Sequence, residues 1–488
     1  MCGIIGVLNQ NRPAAAALLA GLQGQQHRGQ ESAGIVLCDN GALGKPLREM
    51  GLVSEAFFGK NIWEARGSVG IGHVRYSTVG KSSLQNTQPI IDSFRGRAFG
   101  LVHNGSLVNL RELAAKTGWN NAAGSDSHLI AHLISTSPAG SMEEAILDTV
   151  PQLKGAFNLI VLFDEKLYTV KDRFGFHPLQ IGIREGNGDW IVASESCVFD
   201  AIGAALVADI EPGSLYIVDK LSCRKTQWAD ADLKIDIFEY VYFAAPPSVI
   251  YGVEAGNARY WMGRLLGKRY AYQHPVPPNT VIIPIPDSGN TAAQGFYDEL
   301  CKQNCTVRFS PWALHRPHSA YGRTFIEPTQ TAREAKLARK FNPRPMELAG
   351  EYVIAVDDSI VRGTTIPFVA SLICNAGAKA VHAAIASPPI LYPCFYGTDT
   401  GRDTTLIAAA HNGNTHAIAE ALGLDSVTYL PIEYVREAIL CARAERLRKN
   451  LPKPEWRSSV HLSPETFYEG HFTGQYPDGL GDFSSILN

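Results

Sequence analysis

At 488 residues the chain exceeds one ordinary hydrophobic core, so two or three domains are expected. Its 45% hydrophobic and 19% charged content is that of a globular protein, and a formal net charge of −3 gives no electrostatic basis for general nucleic-acid or membrane binding. Apolar runs such as 281–285 fall far short of a membrane span, and Met1-Cys2-Gly3 does not begin a secretory signal, so a cytoplasmic protein is expected. The nine cysteines are scattered without a Cys-x-x-Cys pair, which argues against a zinc ribbon or a disulfide framework.

Cys2 stands directly before an apolar, glycine-punctuated strand. Methionine is usually removed before a small residue, which would make Cys2 the N-terminus. Its α-amino group, with an ordinary pKa of about 8, would then lie near the thiol's own. One residue thus supplies a nucleophile and a proton acceptor. A helical segment over 13–22 leads to Gln26-His27-Arg28-Gly29-Gln30. Gly72-His73-Val74-Arg75-Tyr76-Ser77-Thr78 ends one short strand, Val102-His103-Asn104-Gly105-Ser106 follows another, and Gly124-Ser125-Asp126-Ser127 opens a helix. Residues 154–162 and 190–195 read as strands, and the apolar alternation stops near 218–230.

A second unit opens at 238–243 and continues with an amphipathic helix over 257–270. Val281-Ile282-Ile283-Pro284-Ile285-Pro286-Asp287-Ser288-Gly289 is a buried strand ending in a turn, and a basic stretch carries Arg323, Arg333 and Lys336. Val353-Ile354-Ala355-Val356 is another buried strand, followed by Asp357-Asp358-Ser359-Ile360-Val361-Arg362-Gly363-Thr364-Thr365 and an apolar helical segment over 366–375. Open α/β sheets bind ligands at the carboxyl ends of their strands, and a helix start suits a phosphate dianion. An acid pair beside such a cradle fits a sugar phosphate. A further strand over 381–386 makes the strand–helix alternation that of a doubly wound parallel sheet. The basic run from Arg436 to Lys449 reads as a solvated helix face, and the Pro-, Gly- and aromatic-rich tail as packing over the core.

The motifs around Cys2, Arg75, Asn104 and Asp126 resemble those of class II glutamine amidotransferases, and 356–365 resembles the phosphoribosyl pyrophosphate (PRPP) loop of phosphoribosyltransferases. In that order, from Cys2 to about Pro477, the chain is similar to the glutamine PRPP amidotransferases. The resemblance implies an α+β N-terminal nucleophile hydrolase domain (stacked antiparallel sheets between helices) over 2–230. An α/β phosphoribosyltransferase domain with a parallel sheet would span 236–450, and residues 451–488 would form a tail on the core. It implies Cys2 as nucleophile, the Asn104 side chain and Gly105 N–H as oxyanion hole, and Arg75, Thr78 and Asp126 as glutamine-binding residues. Asp357, Asp358, Ser359, Arg362, Gly363, Thr364, Thr365 and Arg323 would bind PRPP, with Mg²⁺ on Ser288, Asp357 and Asp358. The implied reaction is glutamine-dependent amination of PRPP to 5-phosphoribosylamine, the first step of purine synthesis. The substrates are glutamine, PRPP and water, with nucleotides as feedback inhibitors and a homo-oligomer (dimer or tetramer) as the assembly. Nucleic acid and membrane are not implied partners.

Some departures from the family pattern keep two alternatives open: a diverged paralogue using PRPP or a related donor in a specialised pathway, and a non-catalytic PRPP or nucleotide sensor. Ala245-Pro246-Pro247-Ser248 replaces Arg-Pro-Asp-Ser, and the approach to the Arg323 loop is altered and longer. In Lys171-Asp172-Arg173-Phe174-Gly175-Phe176-His177-Pro178-Leu179, Arg173 and His177 replace a usual Pro and Arg, which reads as structural drift. Members that hold an iron–sulfur cluster use four cysteines. Here Cys394 keeps one, Asp236 stands at another, and Tyr468 and His471 precede the place of the last pair. One thiolate does not satisfy such a cluster, so Cys394 reads as a small buried hydrophobe.

Overall fold

A computed structural model describes residues 1–60, 62, 65–76, 83–120, 124–184, 186–317, 341–398, 400, 406–449 and 460–477. Thr78, Arg323, Arg333 and Lys336 lie outside the described residues.

In the first half, strands β1 (Gly3–Leu8), β2 (Ser32–Asp39) and β3 (Val69–Arg75) belong to an eight-stranded sheet, with β1 paired antiparallel to β3 and β3 to β2. Strands β4 (Arg97–Leu107) and β5 (Gly155–Phe163) are antiparallel neighbours in a six-stranded sheet. Every residue of β1 is buried, because both faces of its sheet are covered. Side chains alternate across a strand. Ile4 and Leu8 meet Val102, Ile160 and Leu162 of the other sheet, while Ile5 and Val7 meet helix α1 (Ala15–Gly24) through Leu18 and Leu22. The outer face of the second sheet packs on helix α2 (Asp126–Thr136) through Leu129, Ile130 and Ile134. The result is two stacked antiparallel sheets between helical layers, as the sequence motifs imply.

The second half is built on a five-stranded parallel sheet. Its three inner strands are β6 (Thr280–Pro284), β7 (Tyr352–Asp357) and β8 (Ala380–Ile385), and β9 (Ser426–Tyr429) lies at the edge beside β8. One face, with Ile282, Ile354 and Val356, packs against helices α3 (Ala255–Gln273), α4 (Asn290–Lys302) and α6 (Ile432–Arg448). The other, with Ile283, Val353 and Ala355, packs against α5 (Thr365–Asn375). Covering both faces explains the unbroken apolar runs of β6 and β7. Tail residues 467–468 pair in parallel with 235–236, and Phe467 and Phe472 are buried in the α3 face. Among the described residues, no helix is long and apolar enough to cross a membrane.

Candidate active sites

Cys2 lies at the start of β1, where the sheet hands it to the end of β4. Its backbone N–H donates to Asn104 Oδ1 at 3.0 Å, and its Sγ lies 3.5 Å from the Tyr76 N–H and 3.7 Å from the Tyr76 carbonyl. Asn104 is buried to 1% exposure, and its Nδ2 has no hydrogen-bond partner among the described residues. A buried amide donor beside a thiol suits the charge that develops on a tetrahedral intermediate. Gly105 follows at φ +148°, and a Cβ there would sit 2.0 Å from the Ala156 carbonyl oxygen of β5. Only glycine fits this backbone path.

Arg75 ends β3, buried, with Nη1 2.7 Å from Glu31 Oε1. Asp126 opens α2, and Oδ1 and Oδ2 accept from the backbone N–H groups of Ser127 (2.8 Å) and Leu107 (3.3 Å) respectively. Burial would raise its carboxyl, but His103, with Nδ1 at 3.7 Å, and these N–H donors together hold it below the ordinary carboxylate range. An ionised Asp126 can therefore face an ammonium group.

In the second half, Asp357 ends β7 and Asp358 follows, at 8% and 5% exposure. Asp357 Oδ1 accepts from the Asp358 N–H at 2.9 Å and lies 3.4 Å from the Ser288 hydroxyl, while Ser359 Oγ donates to Asp358 Oδ1 at 2.6 Å. The loop turns at Gly363, φ +68°, where a Cβ would meet Leu422 at 2.9 Å, and enters α5 without a side-chain cap on its first turn. Uncapped first-turn N–H groups are an anion site. A cavity of about 150 Å³ is lined by the loop residues Asp357, Asp358, Gly363 and Thr365, by Ser288, and at its other side by Tyr76, Tyr242 and Phe243. The tertiary structure thus brings the loop residues and Ser288 together, and Tyr76, which lines the same cavity, has its backbone beside the Cys2 thiol.

At or near the places that the resemblance gives to cluster cysteines, Asp236, Cys394 and His471 come together with one thiol among them, a donor set that does not fit an iron–sulfur cluster. Asp236 Oδ1 is 2.9 Å from His471 Nε2, and its Oδ2 accepts from Thr398 Oγ1 at 2.8 Å. Cys394 is half-buried against an aromatic cluster, yet its Sγ also accepts from the Tyr396 N–H (3.4 Å) and the Tyr468 hydroxyl (3.7 Å). The reading of Cys394 as a plain hydrophobe misses these polar neighbours. His177, read from sequence as drift, is fully buried, with Nε2 2.6 Å from the Tyr396 carbonyl and Nδ1 3.5 Å from Glu239. The sequence gives no sign of Arg28, Glu195 and Glu239 as a group: Arg28 stands in the Gln26–Gln30 motif, and nothing along the chain pairs it with carboxylates 167 and 211 residues away.

The fold and these sites define a glutamine amidotransferase unit joined to a phosphoribosyltransferase-type parallel sheet. A family model described as a glutamine amidotransferase domain matches residues 73–201. The chain is 38% identical over 445 residues to the amidophosphoribosyltransferase of Mycobacterium tuberculosis, covering 88% of this chain and 81% of that protein. It is 36% identical over 480 residues to the chloroplastic amidophosphoribosyltransferase 1 of Arabidopsis thaliana, covering 98% and 78%. The Bacillus subtilis glutamine PRPP amidotransferase, solved with ADP and GMP, superposes with a TM-score of 0.83 at 31% identity, covering 98% and 97%. The chain belongs to the amidophosphoribosyltransferase family.

Proposed function

We propose that the chain catalyses glutamine-dependent amination of PRPP to 5-phosphoribosylamine, the first step of purine biosynthesis, through a glutaminase unit over 2–230 and a phosphoribosyltransferase unit over 236–450. The observation that carries this is the cavity shared by Tyr76, beside the Cys2 thiol, and the Asp357–Thr365 loop. Cys2, freed of Met1, attacks the glutamine side-chain amide while its α-amino group takes the thiol proton. Asn104 Nδ2 and the Gly105 N–H receive the oxyanion. Arg75 holds the glutamine α-carboxylate, and Asp126 its α-ammonium, with Thr78 assisting. Ammonia leaves, and water hydrolyses the glutamyl thioester.

Ammonia crosses the cavity without meeting bulk water, which would protonate it, and its lone pair attacks C1 of PRPP as the C1–O bond to pyrophosphate breaks. Asp357 and Asp358 hold the ribose hydroxyls, while Ser359, Arg362, Gly363, Thr364 and Thr365 cradle the 5′-phosphate. Arg323 neutralises the leaving pyrophosphate. The hard oxygen donors of Ser288, Asp357 and Asp358 suit Mg²⁺, which when bound would offset charge on the pyrophosphate oxygens. The ADP and GMP in the solved Bacillus relative support purine nucleotides as feedback inhibitors here, and the protein would work as a cytoplasmic homo-oligomer, dimer or tetramer.

The test is pyrophosphate release from PRPP and Mg²⁺ with glutamine, and separately with ammonia. The native protein is expected to use both donors and Cys2→Ala ammonia alone. No release with either donor would end the proposal.

A further inference from the structure

Arg28 lies close to the nucleophile with its side chain at 0% exposure. Its Nε donates to the carbonyl of Cys2 itself at 3.0 Å. Its Nη1 meets Glu195 of the first unit, while Nη1 and Nη2 form a fork on Glu239 at 3.1 and 2.9 Å. Burial alone would lower the guanidinium, but Glu239 and Glu195 raise it, so it stays charged. Glu195 is satisfied in turn by His27 Nε2 (2.9 Å), the Ala245 N–H (2.8 Å) and the Ser248 hydroxyl (2.6 Å). Ala245-Pro246-Pro247-Ser248 thus needs no charged side chain to join the units, because a backbone N–H and a hydroxyl do so.

Glu239 opens a five-residue π-helix, Glu239–Phe243. Such turns are rare and cluster at functional sites. The buried guanidinium of Arg259 holds this one, donating to the carbonyls of Tyr240 (2.9 Å), Val241 (3.0 Å) and Ala244 (2.7 Å). Tyr242 and Phe243 of the same turn line the shared cavity. An unbroken set of contacts therefore runs from the cavity wall through Glu239 and Arg28 to the Cys2 carbonyl.

We propose that Arg28 and Glu239 are positioning residues for the glutaminase half-reaction, setting the Cys2 backbone, and with it the thiol and amine, from the second unit. A forked guanidinium–carboxylate pair fixes direction as well as distance. The nucleophile is therefore aligned only when the π-helix of the second unit is in place. The inference rests on the glutaminase reading of Cys2.

The test is Glu239→Gln, which keeps the volume and removes the charge fork, and Arg28→Lys. For each, glutamine hydrolysis and ammonia-dependent pyrophosphate release are measured, with alkylation of Cys2 by iodoacetamide and by a glutamine-like diazoketone. Iodoacetamide needs only an accessible thiol, whereas the diazoketone needs an aligned one. Expected is a loss of about tenfold or more in glutaminase kcat and diazoketone labelling. Glutamine KM and iodoacetamide labelling should stay within about threefold. A purely structural role would lower ammonia-dependent release and glutaminase together. That result with both variants, or native-like glutaminase kcat in both, overturns the proposal. Absence of glutaminase from the native protein would instead overturn the reading of Cys2.

Discussion

Asn104→Ala separates the two half-reactions on one side chain. The substitution removes the buried Nδ2 and the Oδ1 that accepts the Cys2 N–H at 3.0 Å. Loss of one preorganised oxyanion donor costs about 10²–10³ in kcat, or about 2.7–4 kcal/mol of transition-state stabilisation. The Cys2 N–H also loses its partner, which adds a penalty of about 1–3 kcal/mol to the folded state. Ground-state binding of glutamine does not use Nδ2, so its KM should move little. The assay is glutamine- and ammonia-dependent pyrophosphate release on the same preparation. Expected is a fall in glutamine-dependent kcat of about 10²-fold or more, with ammonia-dependent turnover within about twofold of native. A fall of less than about tenfold, or an equal fall with both donors, would refute the oxyanion reasoning.

The reverse separation is expected at the other end of the cavity. Asp358→Asn removes a carboxylate that is 5% exposed and bonded by Ser359, so ammonia-dependent pyrophosphate release should fall about 10²-fold while glutamine hydrolysis survives. Retained PRPP turnover would remove Asp358 from the site. The buried Asp236–His471 pair is a stability device. Burial is the largest influence and opposes charge on both groups, but the partner's charge and hydrogen bond together with lesser neighbours, Cys394 for His471 and His177 for Asp236, outweigh it, raising His471 above 6.5 and lowering Asp236 below 3.8. The raised His471 contributes fully below pH 6.5 and loses its contribution as pH rises above that; the lowered Asp236 contributes above pH 3.8 and loses it as pH falls. His471→Asn should cost about 3–5 kcal/mol between these limits, measured by urea unfolding, with the deficit shrinking as pH rises toward alkaline values. A deficit that does not change with pH would rule out the charged pair.

Much of the architecture was legible in the chain. The apolar runs 281–285 and 353–356, each ending in polar turn residues, marked strands buried on both faces, and Asp357 and Asp358 do stand at a strand's carboxyl end. Cys2, Asn104-Gly105 and Asp126 were singled out as a set through their motifs' resemblance to the class II amidotransferases, and the fold sets Cys2 before a strand, Asn104-Gly105 near a strand's end and Asp126 at a helix start. These signals are local, carried by a few neighbouring residues.

Other features arise only when distant segments meet. His177 looked like drift, yet it lies between Tyr396 and Glu239, and Asp236 looked like a lost cysteine, yet it is bound to His471 235 residues later. Arg28 carries no mark in its own segment of its tie to Cys2, Glu195 and Glu239. Charge pairing in a buried interface depends on distance through space, and the sequence records only distance along the chain. By itself the sequence, through its motifs, pointed to the groups proposed to do the chemistry. The tertiary structure decided which buried charges hold them in place, because only folding removes the water that would otherwise screen those charges.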